Sequence, residues 1–295
     1  MLFRSNWRDN PWFPEVLREE MQRDYEADPE DADHVWGGNY QIVSEGAYYA
    51  KLIAHAQKEG RVGFYPHDPK RRVSTAWDIG VDDESAIWFF QDDGRTVTAI
   101  DYYEVSGDGA DDIVAAALPE LFRAPPMDDR FVGWRKDEAL AALGRTQPFS
   151  YERHYLPHDI KVREWGAGAR SRVETLAALG VSGIHKGANT GPSERIAATR
   201  RILPLLRFNA TPRVEQGLKR LRRYRRKWND ALNSYTVPMH DENSHGADAF
   251  GEYAVNCGIS PPAPKLEPRP IETRMPTLNE IVALNDLDNR GTQRI

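Results

Sequence analysis

RVSTAWDIGVDDESAIWFFQDDGRTVTAIDYYEV, from Arg72 to Val105, is the stretch whose reading decides the fold. RVSTAWDIG is a short apolar strand ending at Asp78 and Gly80, and SAIWFFQ is a second strand. Asp92-Asp93-Gly94 is a hairpin turn signal, and TVTAIDYYEV is a third strand, rich in β-branched and aromatic residues. Three strands joined by short turns predict an antiparallel meander. The same stretch crowds Asp78, Asp82, Asp83 and Glu84 beside strands that must be buried, and an acid ending a central strand is costly unless something compensates it.

Downstream, DDIVAAALPELF is helical, and YERHYLPHD is a strand ending at His158 and Asp159. SRVETLAALG is a helix with Ser171 and Glu174 in capping-box spacing and Gly180 as its stop. VSGIHKG is a short strand, GPSERIAATRRILPLL a helix, and VEQGLKRLRRYRRKW a basic helix. SHGADAFGEYAVNCG is the last helix, with Ser244 as N-cap and Gly258 as stop. Upstream, NPWFPEVLREEMQRDYEADPE, DPEDADHVW and EGAYYAKLIAHAQKEG read as helices, the last closed by Gly60, and FYPHDPKRR is a linker. The expected organisation is a helical N-terminal segment with linker over residues 1–66, a mixed α/β domain over 67–258, and a Pro-rich flexible tail over 259–295.

Composition excludes several classes. The chain of 295 residues has one cysteine, Cys257, so no internal disulfide framework exists, which fits a reducing cytoplasm. No apolar run approaches a membrane span of about 18 residues, and the N-terminus lacks the apolar core of a signal peptide. The net charge of −6 does not announce a nucleic-acid binder, but the cations are unevenly placed. Lys219, Arg220, Arg222, Arg223, Arg225, Arg226 and Lys227 follow one another with no interleaved acid, around an apolar stripe of Leu218, Leu221 and Tyr224. A solvated amphipathic helix explains part of this pattern; the density also suits a phosphate backbone.

Three acids stand out by position: Asp78 at the end of the first strand, Asp159 at the end of a later one, and Asp248 in the first turn of the last helix. Each alone also reads as a turn or cap residue, and His245 as a packed or solvated helix histidine. Converging at strand ends, where α/β sheets bind ligands, they make an oxygen-rich site for Mg²⁺ or Mn²⁺. No compact metal motif is present: no HExxH, EF-hand loop or paired CxxC.

TAWDIGVDDESAIWFFQ, HYLPHDI, GPSERIAATRRILPLL and NSHGADAFGEYAV, in this order, resemble the C-terminal part of phage terminase large subunits, the DNA-packaging motors of tailed phages. The Ser-His-x-x-Asp-Ala opening of the final helix weighs most. DNPWFPEVLREEMQRDYEADPEDADHVWGGNY is similar to the segment closing the motor ATPase domain, so the resemblance covers about residues 6–258.

The resemblance implies a ribonuclease H-like mixed β-sheet flanked by helices, whose acids bind two divalent ions, Mg²⁺ or Mn²⁺. Asp78 then matches the first-strand acid that bridges both metals, Asp159 the acid ending the later strand, and Asp248 the acid of the last helix. Asp83 and Asp82 lie in the loop where some relatives place a further acid, or are turn residues. His245 lies one turn before Asp248 and faces the site. The implied activity is a metal-dependent DNA endonuclease cutting concatemeric viral DNA with little sequence preference, in the cytoplasm of the bacterial host. The basic run, with Lys161, Arg163 and Lys186, would cradle double-stranded DNA; portal protein and small terminase subunit are the expected partners, and no membrane is. No ATP hydrolysis is expected from this chain: the phosphate loop GxxxxGK followed by Ser or Thr is missing, and residues 1–72 hold no apolar run ending in paired acids. Such a chain is expected to be a truncated terminase, a split gene or a fragment. The rivals are a resolvase- or recombinase-type nuclease on the same fold, a catalytically idle DNA-binding or assembly module, and an α/β domain whose acids are only turns and caps.

Overall fold

The computed structural model describes residues 46–80, 84–125, 128–160, 170–229 and 234–259, with scattered helical positions between Pro14 and Gln22. The meander forms as its pattern dictates: β2 (Val73–Asp78), β3 (Glu84–Asp92) and β4 (Val97–Ser106) pair antiparallel. Its second turn is set by Gly94 at φ 79°, with Asp93 accepting hydrogen bonds from the amides of Arg95 (2.8 Å) and Thr96 (2.7 Å). β5 (Tyr151–Leu156) adds parallel to β2, and β6 (Ile184–Lys186) parallel to β5. Beyond β4 the sheet continues through β7 (Leu206–Asn209) to β1 (Val62–Gly63), both parallel. The order β1-β7-β4-β3-β2-β5-β6 therefore contains a three-stranded antiparallel meander continued by parallel strands, the ribonuclease H-like arrangement.

Strand alternation sends successive side chains to opposite faces, and here both faces are covered. Ala86, Trp88 and Phe90 meet α1 (Ala50–Lys58), α5 (Pro192–Ile202), α6 (Pro212–Arg223) and α7 (Glu242–Asn256). Ile87 and Phe89 meet α2 (Ala110–Ala117) and α4 (Arg172–Ala178). Two-sided cover explains why β3 is a near-continuous apolar run rather than an alternating one. A last helix, α3 (Lys136–Ala142), contributes Leu140 to the buried set. The capping box of Ser171 and Glu174 opens α4, and Gly60 (φ 72°), Gly180 (φ 102°) and Gly258 (φ 69°) lie just beyond the ends of α1, α4 and α7.

Several boundaries differ from expectation. The division at residue 66 cuts through a shared core, because Tyr49 and Ile53 pack with Trp88 and Tyr224 while β1 extends the sheet. The helix expected to run to Leu206 stops at Ile202. Pro204 lies in a 3-10 turn, and Leu206 opens β7, a strand too short to show a period of its own. The basic helix ends at Arg223. Continuing it would stack cations four apart, Arg222 on Arg226 and Arg223 on Lys227. Instead Tyr224 turns extended, its carbonyl accepts from the Tyr48 amide (3.0 Å), and β8 (Arg226–Asn229) pairs with β9 (Ser234–Pro238). The N-cap of α7 is Asp241, whose carboxylate accepts from the Asn243 amide at 2.8 Å, rather than Ser244. The helices expected over residues 25–45 and the tail over 260–295 lie outside the described residues.

The α6–sheet contact is close enough to require glycine. A Cβ at Gly217 would lie 2.5 Å from Trp88 Cη2 and 2.9 Å from Tyr102 Cγ, both rings being fully buried. Alanine is favoured over glycine in a helix by roughly 1 kcal/mol, but overpacking a tight core costs about 1–3 kcal/mol. Gly217→Ala is therefore expected to lower stability by about 1 kcal/mol or more, read from urea denaturation; a stabilised variant would contradict the packing.

Candidate active site

The acids gather where β2 and β5, running parallel, leave the sheet. Asp78 is the last residue of β2, partly exposed after a buried run. Asp159 is exposed in the turn after β5. Across from them stands α7, where His245, Asp248 and Glu252 follow at i, i+3 and i+7 and so share one face. Asp248 lies in the second turn, so no helix-end dipole explains it.

Two contacts set the height and rotation of α7. Trp88 Nε1 donates to the Gly246 carbonyl at 2.8 Å. A Cβ at Gly246 would lie 2.7 Å from the Tyr102 hydroxyl and 3.1 Å from Arg220 Cβ, so only glycine permits this approach. On the far side Gly187, just after β6, is packed against the Glu252 carboxylate and, for an added Cβ, 2.8 Å from the Leu156 carbonyl.

In this frame His245 Nδ1 is 2.9 Å from Asp78 Oδ2. Arg195, from α5, places Nη2 3.3 Å from Asp248 Oδ1 and Nη1 3.5 Å from Glu252 Oε1. Burial pushes Asp248 up to about 6; Arg195 opposes this and Asp78 adds to it. Burial likewise pushes Glu252 up to about 7, against Arg195, with Asp78, Asp248 and Asp159 adding like-charge repulsion. The structure thus brings Asp78, His245 and Asp248 into one crevice and sets Asp159 within its field. It adds two residues that sequence reading passed over, Glu252 and Arg195. The signal for Glu252 was present, one turn beyond Asp248 on the same helix face; nothing local marks Arg195. Asp82, Asp83, Lys161 and Arg163 lie outside the described residues.

The donor chemistry suits Mg²⁺ or Mn²⁺: hard carboxylate oxygens whose mutual repulsion a divalent cation relieves. The grouping is open, however. Among the described residues no three His, Cys, Asp or Glu side chains come together closely enough to hold a metal ion; Asp248 and Glu252 face Arg195, and Asp78 faces His245.

The basic run divides into two kinds. Lys219, Arg223, Arg225, Arg226 and Lys227 are exposed, as is Lys186 at the end of β6, beside Gly187. Arg222 is half-buried and 3.4 Å from Glu215. Arg220 does not belong to the basic face: it is engaged by Glu104 (3.0 Å), Glu242 (3.1 Å) and Glu84 (3.6 Å). These three acids start β3, end β4 and open α7, so Arg220 braces that helix against the sheet.

The raised pKa values have a consequence for stability. A carboxyl whose folded pKa exceeds its unfolded value stabilises fully below the unfolded value and loses that contribution as pH rises through the folded one. For Asp248 and Glu252 the window runs from the ordinary 3.8 and 4.5 up to about 6 and about 7. Glu252→Gln should therefore be more stable than wild type near pH 8 by up to about 2–3 kcal/mol, with the gap closing toward about pH 5. Melts in EDTA at both pH values check this; a pH-independent gap would contradict it.

The fold and crevice together define a ribonuclease H-like α/β domain with an acid-lined strand-end site. No protein-family model and no curated protein matches the chain. Among solved structures it is similar to the full-length large terminase of a thermophilic bacteriophage, at 13% identity over 87% of this chain and 55% of that one, TM-score 0.47. It is also similar to the P22 large terminase nuclease domain, at 15% identity over 67% and 88%, TM-score 0.43. A third is the large terminase nuclease of the thermophilic phage G20c with bound magnesium, at 15% identity over 70% and 98%, TM-score 0.40. The chain spans about half the length of the first of these proteins.

Proposed function

We propose that this chain is the nuclease module of a phage DNA-packaging terminase, a divalent-metal-dependent endonuclease acting on double-stranded DNA. The observation that carries the reading is the convergence of Asp78 with His245, Asp248 and Glu252 at a strand-end crevice, on one face of a helix pinned by Trp88 and Gly246. Two ions, Mg²⁺ or Mn²⁺, held by Asp78, Asp159, Asp248 and Glu252, would supply Lewis acidity and water activation at the scissile phosphate.

The chain's own residues do the rest. His245 holds the Asp78 carboxylate in one orientation. Burial of Glu252 and Asp248 keeps bulk water off the acids. The exposed cations of Lys219, Arg223, Arg225, Arg226, Lys227 and Lys186 offer phosphate contacts, which position a duplex without reading its sequence. Within the packaging motor the partners would be portal protein and small terminase subunit, in the cytoplasm of the infected host, with concatemeric DNA as substrate and ATP hydrolysis left to another part of the motor.

A second reading, an idle DNA-binding module, is favoured by one observation: Arg195 already engages Asp248 and Glu252. Supercoiled plasmid incubated with the purified chain separates the two. Linear and degraded products with Mn²⁺ or Mg²⁺ and none with EDTA are expected. Binding by the folded chain without cleavage under either metal would support the idle module.

A further inference from the structure

Two arginines reach the acids around α7, and they are held differently. Arg220 is locked: its bonds to Glu104 and Glu242 measure 3.0 and 3.1 Å. Arg195 is held loosely. Its contacts to Asp248, Glu252 and the Thr190 carbonyl are 3.3, 3.5 and 3.3 Å, all beyond the roughly 2.7–2.9 Å of strong charge-assisted bonds. Its Nε is buried with no hydrogen-bond partner among the described residues.

Its stem, by contrast, is well seated. Gly251, on α7 between the two acids, leaves a groove in which an added Cβ would lie 3.0 Å from Arg195 Cβ and 3.2 Å from Cδ. A side chain anchored along its stem, with a loosely bonded head, can change partners without repacking the helix pair. The head is also the positive charge paired with Asp248 and Glu252, the acids assigned above to a divalent ion.

We propose that Arg195 is a displaceable internal counter-cation: it neutralises Asp248 and Glu252 in the metal-free chain and gives them up when a divalent ion enters. This rests on the metal reading above. It accounts for the open grouping of the acids, which face the arginine rather than one another. Entry of a dication then exchanges one positive charge for two at the same carboxylates, so Arg195 lowers metal affinity while supporting the empty crevice. The freed guanidinium remains beside the site as a donor for an anionic oxygen of the substrate.

The test is Mn²⁺ binding at fixed pH 8, followed by the electron paramagnetic resonance signal of free Mn²⁺, with thermal melts in EDTA alongside. Wild type is compared with Arg195→Met, which keeps the stem in the Gly251 groove without the charge, and with Arg195→Lys, which keeps the charge but lacks the fork that reaches both carboxylates. Arg195→Met is expected to bind Mn²⁺ about tenfold more tightly, to melt lower in EDTA, and to gain more from added Mn²⁺ than wild type. Arg195→Lys should fall between the two, and carries the comparison if the methionine variant does not fold. Folded variants that bind Mn²⁺ no more tightly than wild type would overturn the counter-cation while leaving the metal site standing. Absence of Mn²⁺ binding by wild type and variants alike would overturn the metal reading and this inference with it.

Discussion

Asp78→Ala is expected to reduce metal-dependent plasmid cleavage by about 10³-fold or more, beyond the roughly 10–100-fold that removing an outer partner of a metal ligand costs. Asp78 ends the central strand β2, its oxygen Oδ2 is 2.9 Å from His245 Nδ1, and its charge raises both Asp248 and Glu252. No other carboxylate reaches the crevice from the middle of the sheet among the described residues, so none can stand in for it. Loss of the side chain should leave the fold intact, because Asp78 is partly exposed and followed at once by the loop at Ile79 and Gly80. His245→Gln separates orientation from ligation. It should cost about 10–100-fold, since it removes the partner of Asp78 and not the carboxylate. Cleavage by Asp78→Ala within a few-fold of wild type would remove this residue from the chemistry.

Asp101→Ala should act on stability instead, by about 3–5 kcal/mol. Asp101 sits on β4 with its side chain almost fully buried, receiving Arg213 at 2.8 Å through both Nε and Nη2 and Arg145 at 3.1 Å. Arg145 is itself buried, stacked 4.0 Å over Phe149 and 4.8 Å over Phe89, and also paired with Glu120 at 3.3 Å. Glu120 accepts in turn from the Phe149 amide and the Tyr151 hydroxyl, both at 2.9 Å. The network is closed and dry. Removing Asp101 leaves two guanidinium groups on one acid, and it is the stranded charge that costs, whereas an exposed pair is worth only about 0–1 kcal/mol. Adding Arg145→Met should recover part of the loss. Urea denaturation of the single and double variants checks this; a single variant within about 1 kcal/mol of wild type would show that water reaches the cluster.

What the sequence disclosed, and what it hid, follows the range of the interactions. The meander was legible because Val73–Val105 carries its own strands and turns, and the opening of α4 because Ser171 and Glu174 lie three residues apart. Asp78, Asp248 and His245 were found because strand ends and helix faces can be counted along the chain. Arg195 was not found: its partners Asp248 and Glu252 lie more than fifty residues away. Arg220 was misplaced for the same reason, since a cation in a basic run looks free until Glu104 and Glu242 are seen beside it. β7 and β8, of four residues each, owe their strand geometry to neighbours rather than to local propensity.

The most direct test of the central claim is diffraction from crystals grown with Mn²⁺, using its anomalous signal to locate the ion. The account predicts anomalous density in the crevice bounded by Asp78, Asp248 and Glu252, with the carboxylates turned toward it. Mn²⁺ bound elsewhere on the molecule, with this crevice empty and Arg195 still on its acids, would contradict it.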